Sequence, residues 1–240
     1  MKTKIFNLII LDESGSMDCV QRQTISGCNE TIDTVVNAQI KYGDTQEHFI
    51  SIYAFQDGGR HESRFLIKNL PVDKIRKIDD KDYVPGGCTP LYDAVGATLT
   101  DLRRKLENEE CAIGSVTIIT DGYENSSVHY SLNQIAKMIS QLKEMGWNFN
   151  FIGANIDVQK EAENLHIDNY LSFEQTEEGT KGLFDDVSSA QMRYCQRISE
   201  SELGAESELG AESSESFRVR MCKASKRFFE EDAETDEDKK

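Results

Sequence analysis

Three short segments of this chain carry oxygen side chains of the kind that hold a hard cation. The first, Asp12-Glu13-Ser14-Gly15-Ser16, directly follows an apolar run from Ile5 to Leu11. The second is Thr89, within Val84-Pro85-Gly86-Gly87-Cys88-Thr89-Pro90. The third is Asp121-Gly122, at the end of the run Ser115 to Thr120. Asp12, Ser14, Ser16, Thr89 and Asp121 together offer two carboxylates and three hydroxyls. With waters they make an all-oxygen shell, which suits Mg2+, with Mn2+ or Ca2+ as alternatives, and disfavours zinc. Alternate side chains in a tight turn can face one point, and Gly15 permits close backbone approach there. The turn opens a helix whose dipole repels cations, so the carboxylates must outweigh it. Each segment also has an ordinary reading: a helix cap for Asp12 or the serines, an N-cap before Pro90 for Thr89, a plain turn for Asp121-Gly122. Only a shared site accounts for all three at once.

Such a site needs elements that bring the segments together. Lys4 to Leu11 is an unbroken leucine-rich and β-branched run, as expected of a strand covered on both faces. Phe49 to Phe55, Ser63 to Leu70, Ser115 to Thr120, Asn148 to Ile152 and Tyr170 to Phe173 also read as strands, the first two joined as a hairpin through Gln56-Asp57-Gly58-Gly59. Helical spacing covers Met17 to Ala38, Leu91 to Leu106, Leu132 to Met145 (stopped by Gly146), Val158 to Leu165 and Glu177 to Ile198, with a short helix expected over Val72 to Ile78. Alternating strands and helices predict an α/β fold: a Rossmann-like, doubly wound, mostly parallel six-stranded sheet with one antiparallel edge strand and helices on both faces. Sites in such sheets form beyond the carboxyl ends of strands where the order reverses. If the strand ending at Asp12 neighbours the one ending at Asp121, both carboxylates reach one crevice, and Thr89 closes over it.

Asp-x-Ser-Gly-Ser after an apolar strand, Thr-Pro-Leu-Tyr-Asp-Ala at a helix start and Thr-Asp-Gly after a later strand resemble the metal-ion-dependent adhesion site of von Willebrand factor A-type domains. The resemblance covers about residues 4–199, and all five positions match: Asp12, Ser14, Ser16, Thr89 and Asp121. It implies a protein-interaction module rather than an enzyme. The serines and threonine would contact the cation directly or through water, and so would the aspartates. A partner's Asp or Glu would fill the open coordination position, and the last helix, Glu177 to Ile198, would shift on binding.

The competing chemistry is a Mg2+-dependent hydrolase or phosphotransferase on a similar sheet. A phosphatase of the Asp-x-Asp type would need a second carboxylate where Ser14 stands, and no phosphate-binding Gly-x-x-x-x-Gly-Lys-Ser/Thr loop is present. The net charge of −16 disfavours nucleic acid and bare anionic membranes as partners. The six cysteines are scattered and none forms a Cys-x-x-Cys pair, so reduced thiols and a cytoplasmic location are expected. Glu13 reads as a solvated, structural residue and Asp93 as a local hydrogen-bonding group. Residues 1–199 form the expected domain. From Glu200 a repeated Ser-Glu-Leu-Gly-Ala-Glu, a basic stretch, Phe228-Phe229 and the acidic Glu230 to Asp238 read as a flexible tail. A binding motif around Phe217, Val219 and the Phe pair is the sharper reading. A tail carboxylate could also occupy the cation in cis.

Overall fold

A computed structural model describes residues 2–206 and 214–230. β1 (Thr3–Asp12) is buried at every position from Ile5 to Asp12, as its unbroken apolar run requires of a central strand. It lies between β2 (Gln46–Phe55) and β4 (Ala112–Thr120). The sheet is completed by β3 (Arg64–Pro71), β5 (Asn148–Gly153) and β6 (Asn169–Ser172), in the order β3-β2-β1-β4-β5-β6. Every neighbouring pair is parallel except the β2–β3 hairpin. The expected six-stranded mixed sheet is therefore the observed one.

Helices cover both faces. α2 (Leu91–Leu106), α3 (Leu132–Glu144) and α4 (Val158–Asn164) bury Leu91, Val95, Leu99, Ile135, Ile139 and Ala162 against one side. α1 (Gln21–Tyr42) and α5 (Glu177–Glu206) pack together on the other side, through Ile32, Val35, Leu183 and Phe184. Gly27 makes that contact possible: a Cβ there would stand 1.8 Å from the Phe184 ring. The chain runs β1-β2-β3 to one side and β4-β5-β6 to the other, so the order reverses between β1 and β4. A crevice follows at their carboxyl ends.

Three expectations differ from the structure. Met17 to Val20 belong to a 3-10 turn (Gly15–Val20), and α1 begins only at Gln21. The helix expected over Val72 to Ile78 is a 3-10 turn at Val72–Lys74 only. Beyond it the Asn29 side chain bonds both the N–H and the carbonyl of Ile78, at 2.9 Å each, and so takes the bonds a helix would use. The third difference lies beyond Glu200. α5 continues to Glu206, and α6 (Ser214–Ser225) with the residues up to Glu230 packs back on the domain. Phe217, Met221, Ala224 and Phe228 form an apolar cluster with Ile5, Ile113, Tyr194 and Ile198. Packing therefore does not end at residue 199. Phe217 and the first Phe of the pair are core residues rather than an exposed motif. The second repeat copy, from Ser207, lies outside the described residues, as does the acidic end from Glu231. No helix among the described residues is long and apolar enough to cross a membrane.

Candidate metal centre

Register sets the site. Leu11 of β1 pairs with Ile119 of β4, so Asp12 ends its strand beside Thr120, and Asp121 follows one residue on. The Thr120 hydroxyl donates to Asp12 Oδ2 at 2.6 Å, and the Ser14 N–H donates to Asp12 Oδ1 at 2.7 Å. The Tyr83 hydroxyl donates to the Asp12 carbonyl at 2.7 Å and fixes the backbone there. Ser14 Oγ and Ser16 Oγ lie 3.1 Å apart, and the Ser16 hydroxyl donates to Asp121 Oδ1 at 2.6 Å. Asp12, Ser14, Ser16 and Asp121 are thus joined in one run of hydrogen bonds.

Thr89 joins by position rather than through that run. Its hydroxyl lies 3.5 Å from where a Cβ on Gly122 would stand, immediately beside Asp121. Two loops hold it. The Gly15 N–H donates to the Gly87 carbonyl at 3.1 Å, and Gly86 N–H to the Glu13 carbonyl at 2.8 Å. Gly87 has φ of +71°, and a Cβ there would meet the Asp57 carbonyl at 2.2 Å, so only glycine fits this crossing. From the other side, Thr89 N–H donates to Asn125 Oδ1 at 2.8 Å. Glu124 accepts from Tyr92 N–H, and Ser127 Oγ from Asp93 N–H. Asp93 accepts from the N–H groups of Val128, His129 and Tyr130, which is the local role expected of it. The loop after β4 and the first turn of α2 are therefore clamped together.

The floor of the site is closed off from the surface. Asp12, Ser14, Thr89 and Asp121 are buried, while Gly15 and Ser16 are exposed and form its mouth. Burial pushes the Asp12 carboxyl up to about 6, against the bonds from Thr120 and Ser14. Burial also raises Asp121, opposed by Ser16 and Gln175. Neither carboxylate has a Lys, Arg or His partner among the described residues. Glu13, next in sequence, is the opposite case. It is fully buried, not solvated as expected, and Arg64 grips both its oxygens at 2.7 and 3.1 Å, with Gln56 Nε2 and Val84 N–H bonding at 2.6 Å each. Two buried carboxyls without a cationic partner, lined by hydroxyls, are a donor set that a hard divalent cation fits.

The sequence matches no family model, and no curated protein matches it. Solved structures do match. The pilus adhesin SpaC of Lactobacillus rhamnosus GG aligns with a TM-score of 0.58 at 12% identity, over 80% of this chain and 31% of that one. The vWF domain of the type V pili tip protein Mfa5 from Porphyromonas gingivalis aligns at 0.52 and 10% identity, over 89% of this chain and 99% of its own. Proximal thread matrix protein 1 of the mussel byssus, solved with a zinc-occupied MIDAS motif, aligns at 0.50 and 16%, over 80% and 46%. The chain spans about a third to a half of the SpaC and mussel chains it matches. The class is thereby defined: the chain has the von Willebrand factor A-type α/β fold.

Proposed function

We propose that this chain is a metal-dependent protein-interaction module. Asp12, Ser14, Ser16, Thr89 and Asp121 would hold one divalent cation, Mg2+ by the hardness of the donors, with Mn2+ or Ca2+ as alternatives. The observation that carries this reading is the pair of buried carboxyls, Asp12 and Asp121, set among hydroxyls with no cationic side chain among the described residues to neutralise them. Bound there, the cation would supply an open coordination position for the carboxylate of a partner's Asp or Glu. The chain's own residues do the rest: Thr120 and the Ser14 N–H orient Asp12, the Asn125 side chain seats Thr89, and the exposed turn at Gly15–Ser16 leaves the mouth open to a partner. That the mussel protein carries zinc in its motif supports a divalent cation and puts zinc among the metals to test.

A hydrolase reading finds less support. Ser14 stands where a second carboxylate would relay a proton, and a hydroxyl does not take that role.

The test is thermal unfolding in EDTA, Mg2+, Mn2+, Ca2+ and Zn2+, beside Asp12→Ala. A ligand of the native state at a hundred times its Kd stabilises it by about 2.7 kcal/mol. A rise in Tm with Mg2+ or Mn2+ that Asp12→Ala abolishes supports the site. No rise at millimolar metal overturns it. Binding of acidic peptides that EDTA abolishes would then support the partner carboxylate.

A further inference from the structure

Gln175 lies in the loop between β6 and α5, just before Glu177 opens that helix. Its amide nitrogen donates to Asp121 Oδ2 and, at 2.8 Å, to the Ser16 carbonyl. Its amide oxygen accepts from Asn155 Nδ2 at 2.5 Å. The amide is fixed from both ends: with the Asn155 donor on its oxygen, the NH2 group must face the carboxylate. It bridges the Ser16 turn and the end of β4, the same two segments that a cation held by the five residues would bridge.

We propose that Gln175 is a built-in competitor for the cation, a neutral donor that holds Asp121 until a divalent ion displaces it. This rests on the five-residue reading above. Both Asp121 oxygens already receive donors, Ser16 on Oδ1 at 2.6 Å and Gln175 on Oδ2. A cation that takes the Oδ2 lone pair now bonded by Gln175 must remove the amide. The amide offers only a partial positive charge, and a divalent ion offers two full charges, so the amide loses once the ion is concentrated enough. Gln175 therefore sets the concentration at which the site fills. Filling it would then remove the Gln175–Asp121 bond and leave those to the Ser16 carbonyl and Asn155, so occupancy would loosen the restraint on the loop that leads into α5. A purely structural Gln175 would affect stability but not the affinity for the ion.

The experiment is Mn2+ titration by calorimetry on the full chain, for wild type, Gln175→Ala, Gln175→Glu and Asp12→Ala, with hydrogen exchange at residues 176–180 in EDTA and in Mn2+. Removing a hydrogen bond to a charged group that the ion must break should tighten Mn2+ binding roughly ten- to a hundredfold in Gln175→Ala. Gln175→Glu adds a third carboxylate and should tighten it further while lowering Tm in EDTA. Exchange at residues 176–180 should quicken with Mn2+ in wild type and ignore Mn2+ in Gln175→Ala. Unchanged or weaker binding in both Gln175 variants, with wild type binding normally, overturns the proposal and leaves the metal site standing. Binding by a Gln175 variant where wild type shows none supports it in its strongest form. If no variant binds at 10-fold excess over ~1 mM, the upper end of weak protein sites for such ions, the five-residue reading and this proposal fall together.

Discussion

The Thr120 hydroxyl lies between Asp12 Oδ2, at 2.6 Å, and the turn that follows β4, where the Gly122 N–H donates to it at 3.2 Å. One side chain thus ties the carboxylate at the end of β1 to the loop that carries Asp121. Its single proton goes to the charged acceptor, so Asp12 presents its remaining lone pairs to the crevice.

Thr120→Val should therefore weaken cation binding by about tenfold, the lower end of what losing a group that orients a ligand costs. Thr120→Ser should keep most of the affinity, because it keeps the hydroxyl. Calorimetric titration with Mg2+ or Mn2+ reads the difference. Equal affinities for wild type and Thr120→Val would show that Asp12 needs no such support.

Glu13 should matter to stability rather than to metal. Its buried carboxylate pairs with Arg64 at 2.7 Å, and the Arg64 side chain is itself 29% exposed. Removing one member of a buried pair strands the other charge and costs about 3–5 kcal/mol, to be discounted here for the partial exposure of Arg64. Urea unfolding of Arg64→Ala should show a loss of that order. Lys77→Ala, which breaks the exposed pair with Asp33 at 2.6 Å, should change stability little. A mild effect in Arg64→Ala would mean that Gln56 and Val84 alone suffice to hold Glu13.

His48 gives the fold a pH dependence away from the site. It is buried, its Nε2 lies 3.1 Å from Gln46 Oε1, and its Nδ1 lies 3.4 Å from the Asn7 amide. Burial lowers its pKa from 6.5 to about 4. The unfolded chain takes up the proton first, so stability is full above pH 6.5 and declines as pH falls toward 4. The shift corresponds to about 3 kcal/mol across that window. His48→Gln should flatten this part of the curve in denaturant titrations at pH 4.5, 5.5 and 7. A slope that persists unchanged in the variant would assign it to other groups.

The order of elements and the meeting of Asp12 with Asp121 were legible because both depend on local signals: apolar runs that mark strands, and polar residues placed where those runs stop. Contacts that depend on distant residues were not. Glu13 reads as solvated because its polar neighbours hide it, and Arg64, which makes its burial tolerable, lies in a separate strand. Gln175 is a lone amide in a loop, with no spacing to mark it, and only the path of the chain between β6 and α5 brings it to Asp121. The region after Glu200 failed for another reason. Its Ser, Gly and Glu content suggested a solvated chain, and that outweighed a helical spacing that was present: Phe217, Met221, Ala224 and Phe228 recur at intervals of three or four.

That spacing leads to the last expected outcome. Phe228 is fully buried, 5.6 Å from the Tyr194 ring between centroids, with its N–H bonded to Asn169 Oδ1 at 3.1 Å. It joins the C-terminal segment to α5 and to the start of β6. Phe228→Ala should cost about 3–5 kcal/mol, as for a large aromatic removed from a packed core. Val219 lies on the same segment but is half exposed, so Val219→Ala should cost under about 0.5 kcal/mol. Chemical denaturation of both variants separates two readings of the segment. If it is part of the fold, the two costs differ by several kcal/mol, in the order that burial dictates. If it were a loosely held tail, both would be near zero, since neither side chain would lose a stable contact. The comparison also bears on the site, because Gln175 stands at the other end of α5. On the proposal above, a segment that anchors the C-terminal half of that helix confines any response at Gln175 to its N-terminal end.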